Sequence, residues 1–364
     1  MYLQIVEGRS PVDGRFANVQ RLDPTGGNGN FSLIFTATDM QTAQPVALKF
    51  YHPNHRADAY RWGCFQREAE VLQGLVGQRD IIGFVSPRSE FVHDLPIGPS
   101  GGTFQIQFAY YGMELAASDM GIVTAMGSWD AERMLMAFQA MCRGVQRVHA
   151  HRIAHRDLKP RNFLISRTGA VKLSDFGTTR NVADPTQQLA PTYTFPPGDL
   201  RYAAPELLAC LHDDDPEIAF KADIFSLGAI LFELFTGVTL GPLVLGADAT
   251  NDLILLMNAT KRGNRKRVYD GFVSSMSNAH PLPDVASMGC NIPTSVAERI
   301  DRLYKSMAAI DYRARLCDFE RIFLQIQSSL LVLRNESKVR LWREEKRKRR
   351  AVVAAKLQRA GASR

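Results

Sequence analysis

The hydrophobic pattern of the chain changes near residue 120, and this change is the strongest constraint on its fold. Before it, the apolar segments Phe31–Thr38 and Pro45–Tyr51 are joined by a polar stretch, Asp39–Gln44, in the order that predicts a β-hairpin. After it, the segments Met134–His149 and Asp223–Thr236 have the pattern of helices. Strands first and helices later predict an α+β arrangement of two lobes.

Two further elements are predicted before residue 120. Apolar and acidic residues at three-to-four spacing, including Phe65, Glu68 and Leu72, predict a helix. Residues 94–103 contain two prolines and three glycines, and they predict a loop before a strand at Phe104–Met113.

The composition is that of an ordinary soluble protein, with 45% hydrophobic and 22% charged residues in a chain of 364. The five cysteines form no CxxC pair, which argues against a disulfide framework or a zinc site and predicts a reducing compartment, the cytoplasm. The N-terminus has no basic start followed by an apolar run, so we expect no signal peptide. The most apolar stretch, Ile224–Gly246, contains Glu233 and several glycines, so we expect a buried helix and no membrane span.

Basic charge is concentrated at the end of the chain. Residues 334–364 contain 12 Lys and Arg against 3 Asp and Glu, a net charge of +9, and because the whole chain carries +7, residues 1–333 sum to −2. Two interpretations of this basic tail remain open. It is either a solvated helical or disordered segment, or it contacts nucleic acid, a membrane surface or another acidic partner through Lys346–Arg350. In a eukaryote the same run could act as a nuclear address.

A glycine-rich segment, GGNGNFSLIF, lies between two predicted strands and precedes VALK. Glycine lets the backbone approach phosphate oxygens because no Cβ intervenes, although a Gly/Asn-rich hairpin turn would have the same composition. The context favours a phosphate site. Lys49 lies on the next strand, and Glu68, 19 residues later, supplies a carboxylate that could hold the lysine in a cleft.

The segment HRDLKPRNFL, His155–Leu164, is the strongest functional signal in the chain. In it, Asp157 can accept or orient the proton of a hydroxyl, Lys159 can neutralise charge on a transferred phosphoryl group, and Asn162 offers a neutral oxygen ligand. Asp175 of SDFG lies 18 residues after Asp157 and adds a carboxylate of the kind that Mg²⁺ prefers. Together these groups provide the alignment and charge neutralisation that phosphoryl transfer requires.

These motifs, in this order, resemble the eukaryotic-type protein kinase family. The lysine within HRDLKPRN makes the motif similar to that of the serine/threonine class. The resemblance implies a bilobal fold with a small β-rich N-lobe at residues 18–113, a hinge at 114–119 and a larger helical C-lobe at 120–333. An N-terminal extension, 1–17, and the basic tail, 334–364, would flank this domain. The implied activity is transfer of the γ-phosphoryl group of ATP, with Mg²⁺, to serine or threonine hydroxyls of protein substrates.

By this resemblance, the ATP site is formed by the glycine-rich segment, the first strands and the hinge, with Met113 as gatekeeper. Glu114 and Ala116 would bind adenine through their backbone, and Asp119 would hold the ribose. Ser32 stands where the family has its third glycine, and we expect this departure to change nucleotide affinity only modestly. The residues assigned to nucleotide binding are Gly27, Asn28, Gly29, Asn30, Phe31, Ser32, Ile34, Ala47, Lys49, Met113, Glu114, Ala116, Asp119 and Leu164.

The same resemblance assigns catalytic, metal-binding, structural and regulatory residues. The catalytic residues are Lys49, Glu68, Asp157 and Lys159; the Mg²⁺ ligands are Asn162 and Asp175; the structural residues are Glu206, Asp223 and Arg315; and the regulatory residues are Arg156, Arg180, Thr192 and Thr194.

The structural and regulatory assignments each imply an arrangement. Glu206 of the APE motif would pair with Arg315, and Asp223 would anchor the backbone of HRDLKPRNFL, residues 155–164, the catalytic segment. Arg156 and Arg180 would converge as two unpaired cations under the activation segment, residues 175–206, where a phosphorylated Thr192 or Thr194 would bind them.

One departure concerns the catalytic centre. Asp199 replaces the threonine that most serine/threonine kinases carry, and we expect its carboxylate to pair with Lys159 and to repel Asp157.

Two competing functions stay open. A pseudokinase, which is a binding module on the same fold, would be expected to lack Lys49, Asp157 or Asp175, and all three are present. A small-molecule kinase would lack the APE segment and its arginine partner, whereas Glu206 and Arg315 are present.

Overall fold

The strands of the protein come first and form one antiparallel sheet, as the hydrophobic pattern predicts. The computed structural model describes residues 1–22, 32–97, 102–184, 196–211, 215, 217–279, 281–288 and 292–361. The sheet has the strand order β1-β2-β3-β5-β4. Its strands are β1 Phe16–Arg21, β2 Ser32–Asp39, β3 Gln44–Tyr51, β4 Phe84–Ile97 and β5 Gly102–Glu114.

The alternation of side chains along β3 separates two cores, because successive residues of a strand face opposite sides of the sheet. Val46, Leu48 and Phe50 join the outer core of the sheet, which is rich in aromatic residues. Ala47 and Tyr51 join the inner core, which continues into the helices. The strand therefore carries its functional lysine on the inner face.

The prediction of a loop over residues 94–103 is wrong at both ends. β4 continues to Ile97 and β5 begins at Gly102, with Leu95 paired to Phe104 and Pro96 to Thr103. The reason is that β4 is an edge strand with β5 as its sheet neighbour. A proline lacks an N–H but is tolerated at an edge, where only one side of the strand must pair.

Helix α2 and the later helices agree with the predicted pattern. The Asp58 carboxylate caps α2 by accepting the N–H of Arg61 at 3.0 Å, and its inward face buries Phe65, Glu68 and Leu72. The helices are α1 Tyr2–Gly8, α2 Ala59–Gly74, α3 Met120–Met126, α4 Ala131–Ala150, α5 Pro205–Leu208, α6 Ile218–Thr236, α7 Leu240–Val244, α8 Ala247–Ala259, α9 Arg265–Ala279, α10 Thr294–Met307 and α11 Phe319–Gly361.

Helix α6 is the central helix of the second lobe. It is buried on almost every side, which explains its apolar sequence without a membrane. It ends at Gly237, whose φ of +71° is the left-handed conformation that glycine adopts readily. In the part of the chain that the structure describes, no helix is long and apolar enough to cross a bilayer. The α+β fold with a sheet lobe and a helical lobe is confirmed.

Five short strands of the described chain lie outside the main sheet and frame the catalytic segment. β6 pairs with β8 and β8 with β9, in one small sheet, and β7 pairs with β10. These strands are β6 Ala116–Asp119, β7 Ile153–Ala154, β8 Phe163–Ser166, β9 Val171–Leu173 and β10 Arg180–Asn181.

Both ends of the chain are structured beyond the predicted domain limits. Val6, Val12 and Phe16 are buried in the outer core, so much of the predicted N-terminal extension packs on the sheet. At the other end, α11 runs through the predicted boundary at residue 334 as one helix of 43 residues. Leu333 is buried, whereas Arg334 and nearly all described side chains after it are exposed. The role of the basic tail in contacting an acidic partner stays a prediction.

A buried ion pair joins the end of the activation segment to the helical lobe. Arg315 and Glu206 have fully buried side chains and pair at two positions, with Nη2 of Arg315 lying 3.2 Å from Oε2 of Glu206. Arg315 also donates to the backbone carbonyls of Lys221 at 2.7 Å and Ala309 at 2.8 Å. The guanidinium thus satisfies both a carboxylate and the backbone around it.

We expect Arg315→Met to lower the free energy of unfolding by about 3–5 kcal/mol, because it leaves a buried carboxylate without its cation. Arg313→Met is the matched control, since Arg313 forms exposed ion pairs with Asp270 and Asp311, and these should contribute about 1 kcal/mol or less. Urea unfolding of both variants measures the difference. Equal losses of unfolding free energy in the two variants would contradict a larger contribution from the buried pair.

Candidate active site

Asp223 fixes the start of the catalytic segment. This carboxylate of α6 is buried and accepts the backbone N–H of His155 at 2.7 Å and that of Arg156 at 2.8 Å. His149 of α4 adds a third contact, from Nε2 at 2.8 Å. The backbone before Asp157 is therefore held by charge-assisted hydrogen bonds.

Asp157 lies at the centre of the segment with both carboxylate oxygens engaged. Oδ1 accepts the backbone N–H of Asp199 at 2.8 Å, and Oδ2 accepts from Nζ of Lys159 at 2.9 Å. The side-chain amide of Asn162 donates to the Asp157 carbonyl at 2.7 Å. Burial raises the pKa of Asp157, and the nearby Lys159 opposes that rise without cancelling it. The result is an oriented carboxylate that is a stronger base than a free aspartate.

Lys49 joins the two lobes. Its Nζ lies 2.6 Å from Oε2 of Glu68 on α2 and 3.3 Å from Oδ1 of Asp175. Burial opposes the charge on this lysine, but the carboxylates of Asp175 and Glu68 outweigh it, so the pKa of Lys49 is raised. The lysine is cationic at neutral pH and is held between Glu68 and Asp175.

The donor set around Asp175 fits a magnesium ion. Its side chain is 43% exposed, so the carboxylate faces the cleft. Asn162 uses its amide nitrogen on Asp157, which leaves its oxygen as the group to offer to a metal. The described residues contain no cluster of three or more His, Cys, Asp or Glu side chains of the kind that binds a metal alone. A Mg²⁺ ion does not need one, since it commonly takes one or two protein ligands and completes its shell with phosphate and water oxygens.

The strands place several of the residues predicted to bind the nucleotide in neighbouring positions. Ala47 pairs with Met113 across β3 and β5, and Ile34 pairs with Lys49 across β2 and β3. Leu164 lies in β8, half-buried and packed against the inner core. Ser32 is buried at the start of β2. The other glycine-rich positions predicted to bind phosphate lie outside the described residues: Gly27, Asn28, Gly29, Asn30 and Phe31.

The predicted hinge residues have defined partners. The backbone N–H of Glu114 donates to the Gly83 carbonyl at 2.7 Å. The Glu114 side chain accepts from Lys172 at 2.6 Å. Asp119 caps α3 by accepting the N–H of Ile122 at 3.0 Å. Ala116 lies in β6, opposite Ser166. The adenine and ribose roles of these residues stay predictions.

Arg156 has no carboxylate partner among the described residues, but backbone carbonyls hold its side chain in place. Its Nε donates to the Thr178 carbonyl at 2.7 Å and its Nη2 to the Thr179 carbonyl at 3.3 Å. Its Nη1 is buried and has no hydrogen-bond partner among the described residues. Sequence reasoning also missed Arg67 of α2, which donates to the Gly177 carbonyl at 2.6 Å. The one available signal was its position directly before Glu68.

The cations Arg67, Arg156 and Arg180 therefore lie close together at the start of the activation segment. Burial, followed by the charges of Arg67 and Arg180, lowers the pKa of Arg156 to about 9. Arg180 lies in β10, which pairs with β7. Thr192 and Thr194, the predicted phosphorylation sites, lie outside the described residues.

The prediction that the Asp199 carboxylate pairs with Lys159 is wrong. The Asp199 carboxylate forms a two-point ion pair with Arg201 instead, with Oδ2 2.7 Å from Nη2 and Oδ1 3.0 Å from Nε. It is the backbone N–H of Asp199, not its side chain, that contacts Asp157. Arg201 takes the carboxylate because its fork of donors matches both oxygens.

Comparison with known proteins agrees with this geometry. Residues 22–321 match the model of the protein kinase domain family. A probable cell division protein kinase of Encephalitozoon cuniculi is 30% identical over 240 residues, which cover 66% of this chain and 78% of that protein. Cyclin-dependent kinase 20 of Homo sapiens is 29% identical over 216 residues, 59% of this chain and 56% of that protein. Mitogen-activated protein kinase mpkC of Aspergillus fumigatus is 26% identical over 317 residues, 83% of this chain and 72% of that protein. The chain therefore belongs to the eukaryotic-type protein kinase family, in its serine/threonine class.

Proposed function

We propose that this protein transfers the γ-phosphoryl group of ATP, in the presence of Mg²⁺, to serine or threonine hydroxyls of protein substrates. The observation that carries the proposal is the position of Lys49, which bonds to Glu68 of one lobe and to Asp175 of the other. This arrangement closes the cleft around the groups that phosphoryl transfer needs.

Each polar group of the site has a role in this reaction. Asp157 orients the acceptor hydroxyl and receives its proton, which the raised pKa of its carboxyl favours. Lys159, 2.9 Å from Asp157, stabilises negative charge that develops near the acceptor. Lys49 binds phosphate oxygens. Asp175 and Asn162 would hold Mg²⁺, which supplies charge neutralisation on the phosphates when bound.

Serine and threonine acceptors are supported by two observations. Lys159 contacts Asp157, and this is the lysine that the resemblance associates with the serine/threonine class. The relatives named above are a cell division kinase, a cyclin-dependent kinase and a mitogen-activated kinase. The Glu206–Arg315 pair supports a protein substrate over a small molecule, because it anchors the segment that follows the catalytic centre.

Regulation by phosphorylation is part of the proposal. Arg67 and Arg156 bond to backbone carbonyls, so their charges are not neutralised by a carboxylate there. The unpartnered Nη1 of Arg156 adds an available donor at the same place. A phosphate on Thr192 or Thr194 would bind such a cluster through charge-assisted hydrogen bonds and order the segment.

We expect Asp157→Asn to lower kcat by roughly 10²–10⁴-fold while nucleotide affinity stays within about twofold, because the carboxylate acts on the hydroxyl. Asp130→Asn is the matched control, since asparagine caps a helix as well as aspartate does and Asp130 only caps α4. Steady-state phosphorylation of a generic protein substrate measures the effect. Full activity of Asp157→Asn would contradict the catalytic role of Asp157, and an inactive wild type would favour the pseudokinase alternative.

We expect Asp175→Ala to remove the Mg²⁺ dependence of ATP binding, because this carboxylate is the exposed oxygen ligand of the site. Calorimetric titration of ATP with and without Mg²⁺ measures this dependence. Asp157→Asn is the control and should keep the wild-type Mg²⁺ dependence of ATP binding. If Asp175→Ala keeps the same dependence, Asp175 is not a metal ligand.

We expect the double variant Thr192→Ala, Thr194→Ala to lack any activation by phosphorylation. Its activity and that of the wild type are measured before and after phosphatase treatment, with phosphorylation of Thr192 and Thr194 monitored by mass spectrometry. The wild type alone should lose activity on treatment. Equal activity in all four samples would rule out this switch.

A further inference from the structure

Gly198 of the activation segment packs directly against the catalytic segment. The φ of Gly198 is +92°, and a Cβ at this residue would lie 2.4 Å from the Arg156 carbonyl and 3.3 Å from Oδ1 of Asp157. Only glycine allows both the conformation and this approach. The result is that the next residue, Asp199, donates its backbone N–H to Asp157 at 2.8 Å.

This close approach creates an electrostatic problem. Asp199 carries its own carboxylate, and two like charges in a partly buried site disfavour one another. Lys159 is within electrostatic range of both Asp157 and Asp199. A freely rotating Asp199 carboxylate would therefore either repel Asp157 or draw Lys159 away from it.

Arg201 resolves the conflict. Its guanidinium binds both oxygens of Asp199, at 2.7 and 3.0 Å, and the Arg201 backbone N–H donates to Oδ1 at 3.1 Å. Burial raises the pKa of Asp199, but these hydrogen bonds outweigh burial, so the pKa is lower than that of a free aspartate. The carboxylate stays ionised and turned toward Arg201, while Asp157 keeps Lys159.

We propose that Arg201 is a positioning residue for phosphoryl transfer, which acts by holding the Asp199 carboxylate away from Asp157 and Lys159. The inference rests on the proposed function. Arg201 acts on the Asp157–Lys159 pair through Asp199 and not on the acceptor hydroxyl. The other charged or titratable neighbours of the ion pair are Glu233 and Tyr202.

A purely structural role for Arg201 is disfavoured by its surroundings. Its side chain is 59% exposed and its acidic partner is only two positions away. Ion pairs this exposed contribute little to folding. The effect of removing the guanidinium should therefore fall on catalysis and not on stability.

The test is a double-mutant comparison. Arg201→Met is made in the wild type and in the Asp199→Thr background, where no carboxylate needs to be held. We expect Arg201→Met to lower kcat by about tenfold, and at most about a hundredfold, the effect of misplacing a catalytic group by about 1 Å. The KM for ATP should stay unchanged. In the Asp199→Thr background, the same substitution should change kcat less than about twofold, because no carboxylate is left for Arg201 to hold and the coupling between residues 199 and 201 is lost.

A conservative variant and a folding control complete the design. Arg201→Lys, which keeps a cation, should retain more of kcat than Arg201→Met. Thermal unfolding checks that each variant is folded, and Arg201→Gln replaces Arg201→Met in both backgrounds if the methionine variant is not. Equal losses of kcat in the two backgrounds would overturn the inference, and so would an unchanged kcat in Arg201→Met. A wild type without kinase activity would instead overturn the proposed function.

Discussion

The hydrogen bonds from one buried carboxylate, that of Asp223, set the geometry on which the rest of the site depends. The carboxylate belongs to α6, the largely buried central helix of the helical lobe, and it binds the backbone N–H groups of His155 and Arg156. Arg156 has a φ of +66°, a conformation that costs about 1–3 kcal/mol for a residue other than glycine. Hydrogen bonds to a charged group contribute about 1.5–3 kcal/mol each and offset this strain. The position of Asp157 is therefore set by the packing of the helical lobe.

The same anchor reaches the other lobe through a continuous series of contacts. His155 approaches the Ser174 carbonyl at 3.0 Å through Nε2, and its ring packs edge-on against Phe176 at 5.4 Å between centroids. Asp175, between these two residues, binds Lys49, which in turn binds Glu68 of α2. The Lys49–Glu68 bond therefore ties the orientation of α2 to the segment that the Asp223 anchor holds.

Much of this arrangement follows from the sequence. The change of hydrophobic pattern near residue 120 predicted the α+β architecture, because the period of side chains differs between strands and helices. The segments around Asp157 and Asp175 predicted a catalytic centre, since few contexts require a carboxylate, a lysine and an amide at such spacing. The long β4–β5 hairpin was missed because Pro96 is compatible with a strand only at a sheet edge, and sequence does not give strand order.

The sequence by itself determined which chemical groups are present and in which order the elements occur. The tertiary structure decided how the charged groups pair. Each charged side chain can rotate toward several candidate partners, and some of these partners are distant in sequence. Asp199 could have paired with Lys159, yet the fold turns it to Arg201 and leaves Lys159 to Asp157. Arg67 reaches the carbonyl of Gly177, 110 residues away, only because α2 packs beside the Asp175 segment. Charge pairing depends on distance and desolvation, and both are properties of the folded chain.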